Sequence, residues 1–190
     1  MYIKRALYIL LALTVCVMAS VSCSTKKNTA ASRFWQSFNT RYNVYYNGSQ
    51  AYIEGEKSKV QGHKDNYTEF LPVFLVGNEK SRTSGKSSFE TAITKCQKAI
   101  ALHSIKRRPV VSASKRKTPK MKAYLQRKEY NPFLKNAWLM MGRAQFEKGD
   151  FLEAAATFSY IARLYAAEPA VAAEANQWLA RCYTQVKWYY

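Results

Sequence analysis

Few side chains in this 190-residue sequence have the types and spacing that catalysis needs. The two histidines, His63 and His103, have no metal-spaced or nucleophilic neighbours, and the chain contains no nucleophile motif and no glycine-rich phosphate loop. General acid–base and nucleophilic catalysis both require positioned groups with shifted pKa values. The sequence therefore predicts a protein that is not an enzyme and has no metal, cofactor or small-molecule substrate. The exception is Cys23, whose thiol stands where a covalent lipid could be attached.

The residues before Cys23 are typical of an export signal. A short basic stretch opens the chain, an apolar run extends over residues 6–19, and the sequence Ala-Ser-Val-Ser at 19–22 leads to the cysteine. The apolar run is short for a membrane span of about twenty residues, but it has the length of a secretory signal. Residues 1–22 are therefore predicted to be a lipoprotein signal peptide with a lipobox, cleaved before Cys23, which is then acylated. The alternative is an uncleaved N-terminal anchor in which Cys23 is a bystander.

Residues 23–33 are predicted to form a lipidated polar tether, because they show no apolar periodicity. Acyl chains that each contribute about 0.8 kcal/mol per buried CH₂ hold a triply acylated protein at a bilayer effectively permanently. Ser24, rather than Asp, follows the cysteine, which favours sorting to the outer membrane, and no acidic run of the kind associated with surface export follows it. We therefore expect a lipid-anchored protein of the outer membrane that faces the periplasm.

The chain is strongly basic, since 30 Lys and Arg against 12 Asp and Glu give a formal charge of +18. Taken alone, this balance favours an anionic partner such as nucleic acid, a membrane surface or an acidic protein. An exported lipoprotein does not meet the genome, so no nucleic-acid partner is expected. An apolar fraction of 48% excludes wholesale disorder.

Apolar residues at helical spacing predict an all-α chain, with an N-terminal helical region over residues 34–105. The first helix carries an aromatic stripe on one face, made of Phe34, Phe38, Tyr42, Tyr45 and Tyr52. Core packing, with the tyrosine hydroxyls at the rim, is favoured here over a ligand platform. A second helix is predicted from Phe89 to His103, in which Cys96 and His103 are interpreted as core residues rather than ligands.

Residues 106–130 form a basic connector that contains ten Lys and Arg before its first acid, Glu129. Two interpretations stay open. The connector is either a solvated linker or a contact for anionic lipid head groups or an acidic partner, worth up to about 1 kcal/mol per Lys or Arg near a charged surface. The candidate contacts are Lys115, Arg116, Lys117, Lys120 and Lys122.

The most specific pattern lies in residues 131–190, which are predicted to be tetratricopeptide repeats. A helix, a tight turn at Gly149-Asp150 and a second helix follow one another, and the large and small positions of the repeat are filled in register. These positions are Trp138, Gly142, Ala154 and Phe158. Gly142 is expected to let the second helix approach the first closely, with Ala154 completing the fit.

The pattern restarts over residues 175–183, with Trp178 and with Ala180 in the role of Gly142. The helix from Phe89 to His103 fits the second half of an earlier, degenerate repeat, whose register residues are Ala92, Ala99 and Leu102. The expected fold is therefore a solenoid of helical hairpins. A solenoid normally ends in a capping helix with a polar outer face, so an aromatic end at Tyr190 predicts a last repeat cut short and a longer parent protein.

The order of these features resembles one family. The lipobox is followed by a Tyr-rich helix with Arg-Tyr-Asn-Val-Tyr-Tyr-Asn-Gly at 41–48, the segment 65–74, the basic connector, and Asn-Pro-Phe at 131–133 before the repeat. From Cys23 onward the chain resembles the tetratricopeptide-repeat lipoproteins of the Bacteroidetes gliding-motility and type IX secretion apparatus (the SprE/PorW group). The resemblance implies an outer-membrane-anchored periplasmic component that connects the trans-periplasmic motor and ring to the outer-membrane translocon.

The expected function is a non-enzymatic scaffold that binds protein partners of a secretion or motility complex, with its membrane contact made by lipid on Cys23. Aromatic and Arg anchors on the concave face of the repeats would supply most of the binding energy. The alternative keeps the architecture and assigns the chain to a lipoprotein of outer-membrane protein assembly or carbohydrate capture.

Overall fold

The computed structural model describes residues 27–68, 70–71, 75–76, 82–116 and 118–187. This part of the chain is all-helical, with no strand, which confirms the predicted all-α class. The helices are α1 (Ala30–Asn39), α2 (Tyr46–Gly62), α3 (Lys86–His103), α4 (Ala113–Arg116), α5 (Pro119–Leu125), α6 (Leu134–Lys148), α7 (Phe151–Leu164) and α8 (Pro169–Gln185). A π-helical stretch, Thr40–Tyr45, joins α1 to α2 and is called the π segment. The predicted signal peptide, Cys23, Lys117 and residues 188–190 lie outside the described residues.

Two helix ends, the start of α1 and the end of α6, show clear capping chemistry. The Thr29 hydroxyl accepts a hydrogen bond from the backbone N–H of Ser32 at 3.1 Å and so caps the start of α1. At the end of α6, Gly149 adopts a left-handed φ of +93°, and its N–H donates to the carbonyl of Phe146. Glycine suits this C-terminal position because it has no Cβ to clash. The predicted turn at Gly149-Asp150 is therefore confirmed.

Consecutive long helices pack as neighbours. α2 packs against α3, α3 against α6, α6 against α7, and α7 against α8. α6 also contacts both α2 and α8. The first helix of the α2–α3 pair therefore lies beside the first helix of the α6–α7 pair. The largest cluster of buried apolar residues joins α6, α7 and α8. Among the helices that the structure describes, none is both long and apolar enough to cross a membrane.

Two of these helix pairs share a close contact, in which a glycine lies beneath a phenylalanine ring. A Cβ atom placed on Gly142 would lie 2.7 Å from Cζ of Phe158, and one on Gly55 would lie 2.8 Å from Cζ of Phe89. Both rings are fully buried. Only glycine leaves room for such rings, so the approach of α6 to α7 depends on Gly142, as the sequence predicts.

The same spacing leads into both phenylalanines. Ala154 is fully buried four residues before Phe158, and Gly85 stands four residues before Phe89. Gly85 has a left-handed φ of +72°, and a Cβ there would lie only 2.5 Å from the carbonyl oxygen of Gly55. The α2–α3 pair therefore has the same kind of small-residue and phenylalanine contacts as the α6–α7 pair.

The register of this earlier pair differs from the predicted one. Ala92 and Ala99 are buried, but Leu102 is 51% exposed. The packing equivalents of Ala154 and Phe158 are Gly85 and Phe89 instead. Gly55, the glycine of α2 that lies against the Phe89 ring, belongs to no recognisable motif and was not predicted.

Gly142→Ala is expected to lower the free energy of unfolding by about 1–3 kcal/mol, because the new methyl group would overlap the buried ring of Phe158. Replacing a helical glycine by alanine otherwise stabilises by up to about 1 kcal/mol, so a net loss identifies the clash. Urea denaturation measures the change. Gly62→Ala is the matched control, since its methyl would meet only the Ser84 side chain. Equal stability of the two variants would contradict the contact.

The aromatic stripe of the first helix packs differently from the prediction. α1 and the π segment carry two rows of residues, each with a spacing of four, on opposite faces. The outer row is Phe34, Phe38 and Tyr42, which are 71%, 45% and 59% exposed. The inner, buried row is Gln36, Thr40 and Val44. Core packing is therefore wrong for the outer row, while Tyr45 and Tyr52 do reach the core at its edge.

Hydrogen bonds explain why the polar row faces inward. Oε1 of Gln36 lies 2.5 Å from Nδ1 of His103 at the end of α3. The Thr40 hydroxyl accepts a bond from the Asn131 side-chain amide at 3.0 Å, and that amide also donates to the carbonyl of His103. Because buried polar groups need partners, these bonds orient the helix and leave its aromatic row outside.

The basic connector is closed at its base by Glu129. This carboxylate, 3% exposed, accepts hydrogen bonds from the backbone N–H groups of Ile105, Tyr130 and Asn131 at 2.8, 3.0 and 2.8 Å. The hydroxyl of Ser104 donates to it at 2.5 Å. The two ends of the connector are thus held side by side, and residues 106–128 leave and re-enter the fold at one point.

Candidate functional site

The repeat-signature residues make packing contacts rather than a chemical site. Trp138 lies against Tyr160, with ring centroids 4.9 Å apart, and Trp178 stacks on Phe158 at 5.7 Å. Trp178 thus connects α8 to the same phenylalanine that covers Gly142. These aromatic contacts hold α6, α7 and α8 together, which is the structural role that such residues have in stacked hairpins.

Ala180 is exposed, and no described helix lies against it. The second helix of its predicted repeat would begin at residues 188–190, outside the described residues, so its role as a counterpart of Gly142 stays a prediction. Cys182 is the fully buried residue in this part of α8.

A groove of about 280 Å³ runs across the first helices α2, α6 and α8. We call it the first-helix groove. Its walls mix aromatic, aliphatic and charged side chains from three helices and from the end of the π segment. The lining residues are Tyr45, Ser49, Tyr52, Ile53, Glu56, Asn136, Leu139, Met140, Arg143 and Glu174. Apolar area with a few polar groups is typical of a binding surface.

Arg143 is the central cation of the first-helix groove. Its guanidinium pairs with the carboxylate of Glu174 and lies 5.4 Å from the centroid of the Trp178 ring. Its Nε is buried and has no hydrogen-bond partner among the described atoms. Arginines that stack on aromatic rings and pair with carboxylates are among the residues that most often dominate protein interfaces.

The tyrosines of the groove stay protonated at neutral pH. Burial raises the pKa of Tyr52, and the carboxylates of Glu56 and Glu147 raise it further. Burial likewise raises the pKa of Tyr45, and Arg143 opposes that shift only in part. Both phenols therefore keep their proton, and the side chain of Tyr52 is hydrogen-bonded to Glu56, another lining residue of the groove.

A buried ion pair joins two of the helices that line the first-helix groove. Nζ of Lys59 on α2 lies 2.9 Å from a carboxylate oxygen of Glu147 on α6 and also donates to the carbonyl of Glu147. The same ammonium lies 5.3 Å from the centroid of the Phe89 ring. Burying the charge is tolerated because it is paired and hydrogen-bonded. The pair ties the helices that form two walls of the groove.

The thiols and imidazoles that the structure describes lie either in the core or against one polar neighbour. Burial raises the pKa of Cys96 and of Cys182 to about 12, so both remain thiols, and the predicted core position of Cys96 is confirmed. His103 is half-buried against Gln36, and Nε2 of His63 lies 3.0 Å from Asp65. Within the described residues, no three His, Cys, Asp or Glu side chains form a group that could hold a metal ion.

Four of the predicted basic contacts lie in the described part of the chain, and all four are exposed: Lys115, Arg116, Lys120 and Lys122. Arg116 turns back to donate to the carbonyl of Val111 at 2.9 Å. Lys120 and Lys122 lie on α5, and Lys115 lines a basic cavity. The residues that join it there, Lys27, Arg33, Arg107 and Arg108, come from two distant segments. Sequence reasoning missed this set because no spacing connects the tether to the connector.

No protein-family model matches this chain, and no curated protein matches its sequence.

Proposed function

We propose that this protein is a scaffold anchored to the outer membrane by lipid on Cys23, facing the periplasm, whose helical hairpins bind other proteins of the type IX secretion and gliding-motility apparatus. The observation that carries the proposal is the first-helix groove, which crosses α2, α6 and α8 and is lined by aromatic residues and Arg143. Stacks of hairpins present extended surfaces of this kind to protein partners.

The paired glycine–phenylalanine contacts support a repeat architecture for this scaffold. Gly55 with Phe89 and Gly142 with Phe158 have the same geometry in successive helix pairs, and α8 begins a third unit. Each pair then buries its apolar face against the next pair, as in tetratricopeptide arrays. The order of sequence features that resembles the secretion-apparatus lipoproteins supports the partner class.

Ile53→Arg is expected to lower the recovery of crosslinked partners from native membranes at least about tenfold, because it places a cation in the apolar part of the groove. Quantitative mass spectrometry after crosslinking and affinity purification measures the recovery. Leu152→Arg is the matched control, since Leu152 is an exposed leucine on α7 that does not line the groove.

Wild-type protein is expected to recover components of the outer-membrane translocon and of the trans-periplasmic ring. Recovery of outer-membrane assembly proteins or of a carbohydrate-uptake complex instead would replace the proposed function with the alternative. Equal recovery by the two arginine variants would contradict the groove as the binding surface.

A further inference from the structure

An aromatic ridge covers the outer face of the helix that follows the tether. The ridge consists of Phe34, Trp35, Phe38 and Tyr42, and each of these side chains is at least 45% exposed. The rings of Phe38 and Tyr42 have centroids 4.9 Å apart, and the ring of Phe34 lies 6.2 Å from that of Phe38. An apolar row of this size on the outer face, with polar Gln36 and Thr40 on the inner face, marks an interaction surface.

A basic cavity of about 730 Å³ opens at the start of the same helix. Its cationic lining residues are Lys27, Arg33, Arg107, Arg108 and Lys115, and its lining contains no Asp or Glu. The ion pairs found among the described residues use none of these five cations. The cavity therefore presents a concentrated positive charge, which favours an anionic ligand.

The connector is held at the tether by specific bonds. The Asn28 side-chain amide donates to the carbonyl of Arg107 at 2.7 Å, and the guanidinium of Arg33 donates to Oδ1 of Asn28 at 2.6 Å. The hydrogen bonds of Glu129 fix the base of the connector a few residues away. The basic cavity and the aromatic ridge thus adjoin on α1, where Arg33 lines the cavity and Phe34 begins the ridge.

We propose that the aromatic ridge and the basic cavity dock the protein onto the surface of an anionic phospholipid bilayer. The cavity cations would contact lipid phosphates, and the ridge would enter the interfacial layer, where Trp and Tyr rings are preferred. Charge complementarity and aromatic character agree on this occupant, whereas an acidic protein alone would leave the ridge unexplained.

The tether sets the distance between the docking surface and the membrane. Six residues, 24–29, separate Cys23 from the start of α1 at Ala30, and the seven steps along the backbone, at about 3.3–3.6 Å each, reach at most about 25 Å. A lipid on Cys23 would therefore keep the ridge close to head groups. Only this step depends on the proposed anchor, so the test uses protein without lipid.

Vesicle sedimentation of the chain from Ser24 onward tests the charge part, since this chain retains every contact described above. We expect binding to vesicles of phosphatidylcholine with phosphatidylglycerol, little binding to phosphatidylcholine alone, and weakening as salt rises. Arg107→Glu with Lys115→Glu should weaken binding at least about tenfold. Lys57→Glu with Lys98→Glu, two exposed lysines outside the cavity with the same change of charge, should weaken it far less.

Fluorescence tests the ridge. On binding, acyl chains that carry bromine should quench tryptophan emission, and Trp35→Phe should remove most of that quenching while leaving binding intact. The proposal is overturned by equal binding to neutral and anionic vesicles, by equal loss in the two charge variants, or by quenching unchanged in Trp35→Phe. It is also overturned if inorganic phosphate at the lipid-phosphate concentration abolishes binding, or if only an acidic protein binds the cavity. None of these outcomes bears on lipidation of Cys23.

Discussion

Cys23→Ala is expected to move the protein from the membrane fraction to the soluble periplasmic fraction after a high-salt wash. The physical reason is the size of the acyl contribution, at about 0.8 kcal/mol for each buried CH₂, which no reversible surface contact replaces. The salt wash removes electrostatic binding by the basic cavity, because exposed charges are screened at high ionic strength. What remains bound after the wash is therefore attached by apolar contact, through acyl chains or through an uncleaved N-terminal segment, and labelling separates these two.

Metabolic labelling with an alkyne analogue of palmitate provides the second measurement for Cys23. Label should appear on the wild-type protein and be lost in Cys23→Ala. Cys16→Ala is the matched control, because it removes a cysteine from the apolar run and should leave both label and membrane attachment unchanged. Label that persists in Cys23→Ala would place the acyl group on another residue, and a wild-type protein without label would favour the uncleaved N-terminal anchor.

Glu129→Ala is expected to lower the free energy of unfolding by about 3–5 kcal/mol. The change removes the acceptor for the backbone N–H groups of Ile105 and Asn131, and each donor left unpaired and buried costs about 1–3 kcal/mol. The N–H of Tyr130 keeps its second bond, to the carbonyl of Ile105 at 2.9 Å. A loss of this size is a large fraction of the roughly 5–15 kcal/mol that stabilises an ordinary domain. Glu129→Gln keeps one carbonyl acceptor, so its loss should be smaller.

Urea denaturation followed by circular dichroism measures this effect. Glu54→Ala is the matched control, since it removes the same carboxylate from an exposed position on α2. A stability of Glu129→Ala within about 0.5 kcal/mol of this control, the usual range for surface changes, would show that the connector is not closed by the Glu129 carboxylate.

The helical architecture was predictable because its signals are local. The turn at Gly149 and the contact of Gly142 with Phe158 lie within one hairpin, where spacing along the chain determines which side chains meet. The equivalent contact of Gly55 with Phe89 was not predicted, since a long segment with no fixed repeat spacing separates its two residues.

The orientation of the first helix could not be predicted from periodicity. Residues recur every four positions both in the row that contains Phe38 and in the row that contains Gln36. This spacing does not show which of the two rows is buried. The usual preference places the aromatic row inside. Here, hydrogen bonds from His103 and Asn131 satisfy the polar row, so the aromatic row lies outside.

The all-helical class and the position of the best-formed hairpin could be read from the sequence, because short-range spacing and turn chemistry control both. The sequence also contains the cations of the connector, without showing where they lie. Folding brings Arg107 and Lys115 to Arg33 beside the tether. That meeting depends on the bonds of Asn28 and Glu129 between segments far apart in the chain, and such contacts leave no period or motif in the sequence.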